Sequence, residues 1–362
     1  MKHSTGLMNP LYSHSKFFAF PDQISALRAR QVTAPVHVRI KPTNICNHDC
    51  WYCAYHVSGL QLASEMVYRD QMPKEKLVEI AEDLIAIGTQ AVTFSGGGEP
   101  LLYKTLPDVI QRLATGGIKV ASLTNGANLK GNIADAFAQY GTWIRISLDG
   151  YDDVSYSKAR GVPDGAFTKL LENIRKFTSR STKCMLGTVF IIDAKNFNHI
   201  YDTCSLLKDS GVSHIKLSGV IVGNSPQENN KYHSTIKKVV TAAIKSTEQL
   251  CDDQFSIINA YHDLEERSLE KPYTMCPNLL FRPVIGADCN VYTCQDKAYT
   301  PTGLLGSIKE TSFREFWFSE QNKEKLYSFD PSVSCNHHCV ANQGNLNALS
   351  FLSLDEDHLP FT

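Results

Sequence analysis

From residue 36 onward the chain alternates short β-branched runs with stretches of helical period, and this alternation limits the fold more than any other feature. The runs fall at 36–41, 91–95, 119–123, 143–147, 185–191 and 214–217. Between them, 73–87, 106–114, 132–139, 166–178 and 198–210 read as helices. The first of these opens with Pro73 at an early helical position and stops before Gly88. Strand–helix repeats of this length imply right-handed crossovers and a parallel sheet with helices outside it. Six strands are too few to close the usual eight-stranded barrel. The expectation is therefore an α/β fold, a partial six-stranded parallel β/α barrel over 36–223.

In such folds the functional site lies at the carboxyl ends of the strands. Cys46, Cys50 and Cys53 follow the first run. Ser95-Gly96-Gly97-Gly98-Glu99-Pro100 follows the second, Thr124-Asn125-Gly126 the third, and Ser147-Leu148-Asp149-Gly150 closes the fourth. All are expected on one rim. Around this core the sequence suggests an N-terminal extension (1–35), a polar connector with a helix near 236–249 (224–275), a small second unit (276–340) and a tail (341–362).

Composition excludes several classes of function. The formal net charge is −1, so the sequence carries no electrostatic footprint for nucleic acid or an anionic membrane. No apolar run is long enough to span a bilayer, and the first twenty residues lack a signal-type apolar region. A cytoplasmic protein with no nucleic-acid or membrane partner is the expectation.

The chain has 11 cysteines, an odd number that argues against a secreted disulfide framework. Cys184, Cys204 and Cys251 are scattered and read as small core residues. Cys46-x3-Cys50-x2-Cys53 places three thiolates in one loop. Thiolate is the usual ligand of a four-iron cubane cluster, and three ligands leave one iron open. A zinc loop completed by His48 or His56 is the alternative.

The loop CNHDCWYC, with GGEP about fifty residues later on the next strand, resembles the radical S-adenosylmethionine (radical SAM) superfamily over roughly 36–220. The resemblance implies a site-differentiated [4Fe–4S] cluster on Cys46, Cys50 and Cys53, with S-adenosylmethionine (SAM) chelating its open iron. It places Tyr52 near the adenine and Gly97, Gly98 and Glu99 around the methionine amino group. Ser147 and Asp149 fall where the family reads ribose hydroxyls, and Arg160 where many members place a cation for the carboxylate. An external one-electron donor such as flavodoxin or ferredoxin is the implied partner. The implied chemistry is hydrogen abstraction from substrate by a 5′-deoxyadenosyl radical.

The C-terminal cysteines resemble the SPASM/twitch extension of the same superfamily. Cys276, Cys294, Cys335 and Cys339 are the expected ligands of one auxiliary [4Fe–4S] cluster, with structural zinc the alternative. The 288–294 segment reads as the family's hairpin, but Cys289 stands where glycine is usual, and the last pair is spaced wider than the common CxxC. Cys289 is then either a core residue or a hydrogen-atom donor for an epimerisation. His337 and His338 read as exposed loop residues. Asp193, Lys195 and Lys216 near the ends of the fifth and sixth strands read as structural or solvent-facing, which leaves the substrate base unassigned.

The expected function is oxidation or epimerisation of a small polyhydroxylated molecule: a sugar, aminocyclitol or nucleotide sugar. A peptide-modifying maturase is the alternative. Only 35 residues precede the first strand, fewer than the family's leader-binding module of about 80 residues, a small-domain size. A non-catalytic iron–sulfur or zinc protein is the alternative of another class, against which the GGEP segment stands.

Overall fold

The computed structural model describes residues 10–57, 62–261, 269–355, 357–358 and 361. Parts of the expected N-terminal extension (1–9), connector (262–268) and tail lie outside the described residues.

All six expected strands form: β1 (His37–Ile40), β2 (Ala91–Phe94), β3 (Lys119–Thr124), β4 (Gly141–Leu148), β5 (Met185–Ile192) and β6 (His214–Gly219). They pair in chain order, each parallel to the next. A seventh strand, β7 (Ser256–Ala260), extends the series from within the segment expected to be a connector. Its six-residue run, Phe255-Ser-Ile-Ile-Asn-Ala, is too short to stand out beside the polar stretch before it. On the other edge β8 (Val284–Ile285) pairs parallel with β1 and turns into β9 (Asn290–Tyr292), which pairs with β10 (Leu304–Ser307). The order β10-β9-β8-β1-β2-β3-β4-β5-β6-β7 makes one unclosed ten-stranded sheet. The second cysteine unit is thus hydrogen-bonded to the first strand of the barrel.

Alternation along each strand decides what faces the helices. Val38, Ile40, Ile144, Ile146, Ile215 and Leu217 have no exposure. They pack against helices Lys74–Ala86, Leu106–Thr115, Gly131–Tyr140, Ala166–Thr178 and Ile200–Asp209. Burying one such side chain contributes about 1.5–3 kcal/mol. The opposite residues, Arg39, Lys41, Arg145, Ser147 and Lys216, turn to the concave interior where a site can form.

One unexpected helix, Asp153–Arg160, follows β4. It opens with a capping box in which the Asp152 side chain accepts from the Ser155 backbone N–H, and it stops at Gly161 in the left-handed region (φ 60°). Its last residue, Arg160, is swung into the site. Of the scattered cysteines, Cys184 and Cys204 are buried as expected, but Cys251 is exposed. No described helix is long and apolar enough to cross a membrane.

Candidate functional site

The loops after β1, β2 and β3 are fastened to each other by main-chain bonds. Gly98 N–H donates to Thr43 O (3.3 Å) and Glu99 N–H to Ile45 O (2.9 Å). A Cβ on Gly98 would lie 2.1 Å from Ile45 O, so only glycine permits this approach. The Glu99 carboxylate is buried. Its Oε1 accepts from Leu101 N–H (2.9 Å) and Thr124 Oγ1 (2.6 Å), and its Oε2 from Asn125 N–H (2.7 Å). Burial pushes its pKa up while these bonds pull it down. Glu99 therefore ties the loop after β2 to the end of β3 and the loop that follows it.

These loops enclose a cavity of about 440 Å³, within the size range of small-molecule and cofactor sites. Cys46, Cys50, Cys53, Tyr52, Gly97, Gly98, Glu99, Ser147 and Arg160 all line it. The three thiols are unpaired and half-buried, and burial pushes Cys46 up to about 11. Only a bound cation would hold such thiols as thiolates. His48 N–H donates to Cys46 Sγ (3.4 Å) and Arg160 Nη1 to Cys50 Sγ (3.5 Å). A tetrahedral zinc site needs its sulfurs about 3.8 Å apart, from a Zn–S bond of about 2.3 Å. Neither the three sulfurs alone nor with His48 or His56 gather within 4.8 Å of one another. Three thiolates in one loop are by donor chemistry the ligand set of a cubane cluster with one open iron.

Asp149 does not line the cavity but lies behind it. Its Oδ2 sits 2.6 Å from Arg160 Nε and accepts from Tyr52 Oη, with both Asp149 and Arg160 3% exposed. It is the counter-ion that holds Arg160, because a buried guanidinium needs one, and its Oδ1 is left without a hydrogen-bond partner. Ser147 keeps its place on the wall. Arg160 lies under two aromatic faces, 5.8 Å from the Tyr52 centroid and 5.7 Å from that of Tyr156.

Cys276, Cys294, Cys335 and Cys339 line a second, smaller cavity. Burial, then Asp296 and the neighbouring thiols, pushes Cys294 up to about 12 and Cys339 to about 11, and burial, then Cys294, pushes Cys335 to about 11. Four crowded thiols that raise one another fit an iron–sulfur cluster. Asn345 Nδ2 donates to Cys276 Sγ (3.2 Å). Sequence reasoning missed two residues at this site. Asp296 and His337 (Nε2 to Oδ2 3.9 Å) line both cavities, and with Cys339 their ligand atoms lie within 4.8 Å of one another. His337 is buried, not an exposed loop residue, because its turn folds under the second unit; burial pushes its pKa down to about 4. His338 is half-buried on the wall of the first cavity. The one available sequence signal was the position of Asp296, two residues after Cys294.

Cys289 lines neither cavity. It occupies the turn between β8 and β9 at φ 59°, buried in the core. The hairpin geometry that favours glycine is retained with a cysteine in its place. The Cys289 side chain belongs to the hydrophobic core. Asp193 is structural as expected, its Oδ1 accepting from Lys195 N–H (2.7 Å) and Asn196 N–H (3.0 Å). Lys195 Nζ sits 5.6 Å from the Trp51 centroid.

Residues 40–207 match the Radical SAM superfamily. With the cysteine loop, the glycine-rich loop and the unclosed parallel sheet, this makes residues 40–207 a radical SAM domain, of a superfamily whose cofactors are SAM and a [4Fe–4S] cluster. The particular relatives divide by coverage. An S-adenosylmethionine-dependent nucleotide dehydratase of Lacinutrix mariniflava is 32% identical over 30% of this chain and 22% of its own. A probable GTP 3′,8-cyclase of Sulfolobus acidocaldarius is 26% identical over 50% and 54%. An Fe-coproporphyrin III synthase of Methanosarcina barkeri is 26% identical over 76% and 71%. This chain thus spans about half or less of the first two. In fold it is similar to Streptococcus suis SuiB bound to S-adenosylmethionine (TM-score 0.62, 14% identity, 87% of this chain and 73% of that one).

Proposed function

We propose that this radical SAM enzyme oxidises a small polyhydroxylated molecule, such as a sugar, aminocyclitol or nucleotide-linked sugar. Cys46, Cys50 and Cys53 hold the SAM-binding cluster, and Cys276, Cys294, Cys335 and Cys339 an auxiliary [4Fe–4S] cluster. When bound, these groups supply a 5′-deoxyadenosyl radical, the electron that forms it and a one-electron acceptor. An external donor such as flavodoxin or ferredoxin is the expected source of electrons.

The observation that carries the reading is that Asp296 and His337 line both cavities. Oxidation of an alcohol removes one hydrogen atom from carbon, one proton from oxygen and one electron. The wall shared with the second thiol set offers a carboxylate within reach of a substrate hydroxyl, so Asp296 is the assigned proton acceptor and His337 its partner. Epimerisation needs a hydrogen-atom donor in the cavity. Cys184, Cys204, Cys251 and Cys289 do not line it, which favours oxidation. Relatives named for GTP and nucleotide chemistry support a small substrate over a peptide.

The test is anaerobic reconstitution with iron counting and Mössbauer spectroscopy, on wild type and on a Cys46/Cys50/Cys53→Ala variant. About eight irons falling to about four are expected, together with SAM cleavage in wild type only. Four irons falling to none would remove the auxiliary acceptor and with it the oxidation. Perdeuterated sugars, aminocyclitols and nucleotide sugars are then screened for deuterium transfer into 5′-deoxyadenosine. Transfer from none of them, with transfer from a peptide, overturns the substrate class.

A further inference from the structure

The strand register brings an unassigned group of cations to the barrel interior. Arg145 of β4 pairs laterally with Leu123 of β3, and Lys216 of β6 is joined through Val189 to Ser147 of β4. Laterally paired residues of a parallel sheet point to the same face. Leu123 and Ser147 line the first cavity, so Arg145 and Lys216 project to that same side, although neither they nor Arg39 form part of the cavity wall itself. Arg39 of β1 is joined through Thr93 and Ala121 to Trp143, two residues before Arg145 and therefore also inward.

These three cations are poorly compensated. None of them makes an ion pair within 4.0 Å among the described residues. The Nε atoms of Arg39 and Arg145 are buried without a hydrogen-bond partner. The neighbouring charged groups are mostly of the same sign. Burial first, and then Arg282 and Arg145, pushes Arg39 down; burial with Arg282, Arg39 and Lys16 lowers His37, and burial with Lys216 lowers His14. Lys216 itself is lowered to about 8 by burial and by Arg145. Tyr55 and Asp296, both on the wall of the cavity above, act on Arg39 in the opposite direction. From below, Tyr12 of the N-terminal segment accepts from Arg145 Nη1 (3.1 Å) and meets His214 Nε2 (3.3 Å), and Lys216 Nζ lies 5.6 Å from its ring centroid. Partly buried cations without anions are unfavourable unless an anion joins them.

We propose that Arg39, Arg145 and Lys216, floored by Tyr12, form an anion subsite in the barrel interior beneath the cavity wall that takes the phosphate or carboxylate group of the substrate. The substrate is then an acidic small molecule, held by its charged end at the barrel floor while its hydroxylated end faces the cysteine loop. This rests on the reading of the cavity as the substrate site.

The experiment is calorimetric titration of the full chain at low ionic strength with pyrophosphate, citrate and glucose. The proteins are wild type, Arg145→Gln, Lys216→Met and the Cys46/Cys50/Cys53→Ala variant, with circular dichroism to confirm folding. Wild type is expected to bind at least one of the two anions and not glucose, with each cation variant at least tenfold weaker. Preference for pyrophosphate assigns a phosphorylated substrate and preference for citrate a carboxylic acid. The cysteine variant is expected to keep the affinity, so the subsite stands or falls independently of the radical chemistry. No anion binding by wild type, equal affinity in both cation variants, or loss of binding in the cysteine variant would each overturn the subsite.

Discussion

Arg160 Nε lies 2.6 Å from Asp149 Oδ2, and both side chains are buried behind the cysteine loop. Removing one member of such a pair leaves a charge without compensation. Asp149→Asn is therefore expected to destabilise the chain by about 3–5 kcal/mol. Urea unfolding measures this, and the double variant Asp149→Asn/Arg160→Met should lose less than Asp149→Asn alone. A larger loss in the double variant would mean that packing, not the ion pair, sets the energy.

Gly98→Ala introduces a Cβ 2.1 Å from Ile45 O, a backbone atom that cannot rotate away. The expected result is separation of the glycine-rich loop from the cysteine loop, with strain of about 1–3 kcal/mol and SAM affinity at least about tenfold weaker. Equilibrium binding on reconstituted protein decides it.

The Glu99 carboxylate accepts three hydrogen bonds from the loops after β2 and β3. Glu99→Gln replaces one acceptor oxygen with a donor and opposes a donor already there. A loss of about 1–3 kcal/mol is expected, and an unchanged denaturation midpoint would show that the loops hold without it.

Cys335→Ala/Cys339→Ala should lower bound iron by about four per chain. SAM cleavage should persist, since the first thiol set lies in another cavity. Iron analysis with 5′-deoxyadenosine assay checks both, and loss of cleavage would mean that the two sites are not separable.

His214 is held neutral by burial and by Arg145, with its pKa pushed down to about 4. Unfolded histidine titrates near 6.5. The folded value is the lower one, so this contribution is complete above about pH 6.5 and is lost as pH falls from there towards 4. The slope is about 1.4 kcal/mol per pH unit. His214→Gln should flatten the pH dependence of urea midpoints in that window, and an unaltered slope would contradict the assignment.

The strand–helix alternation was legible because the helix-facing side chains Val38, Ile146 and Leu217 follow local periods that survive in one dimension. β7 was not legible, because its pairing with β6 depends on an edge that exists only once the sheet has formed. Asp149 and Cys289 show the same limit within the site. Their places at a strand end and in a hairpin were legible, but whether each side chain faced the cavity depended on the Asp153–Arg160 helix and on the turn before β9.

The sequence by itself determined the chemistry that the chain can bind. Three thiols in one loop, a glycine-rich segment at the next strand end and four later cysteines are fixed by spacing, and ligand identity is a property of residue type. The tertiary structure alone decided which groups share a space. It set Asp296 and His337 between the two thiol sets and brought Arg39, Arg145 and Lys216 from three strands onto one inner face. Those neighbours are far apart along the chain, and only lateral strand pairing and the closing of loops over the sheet bring them together.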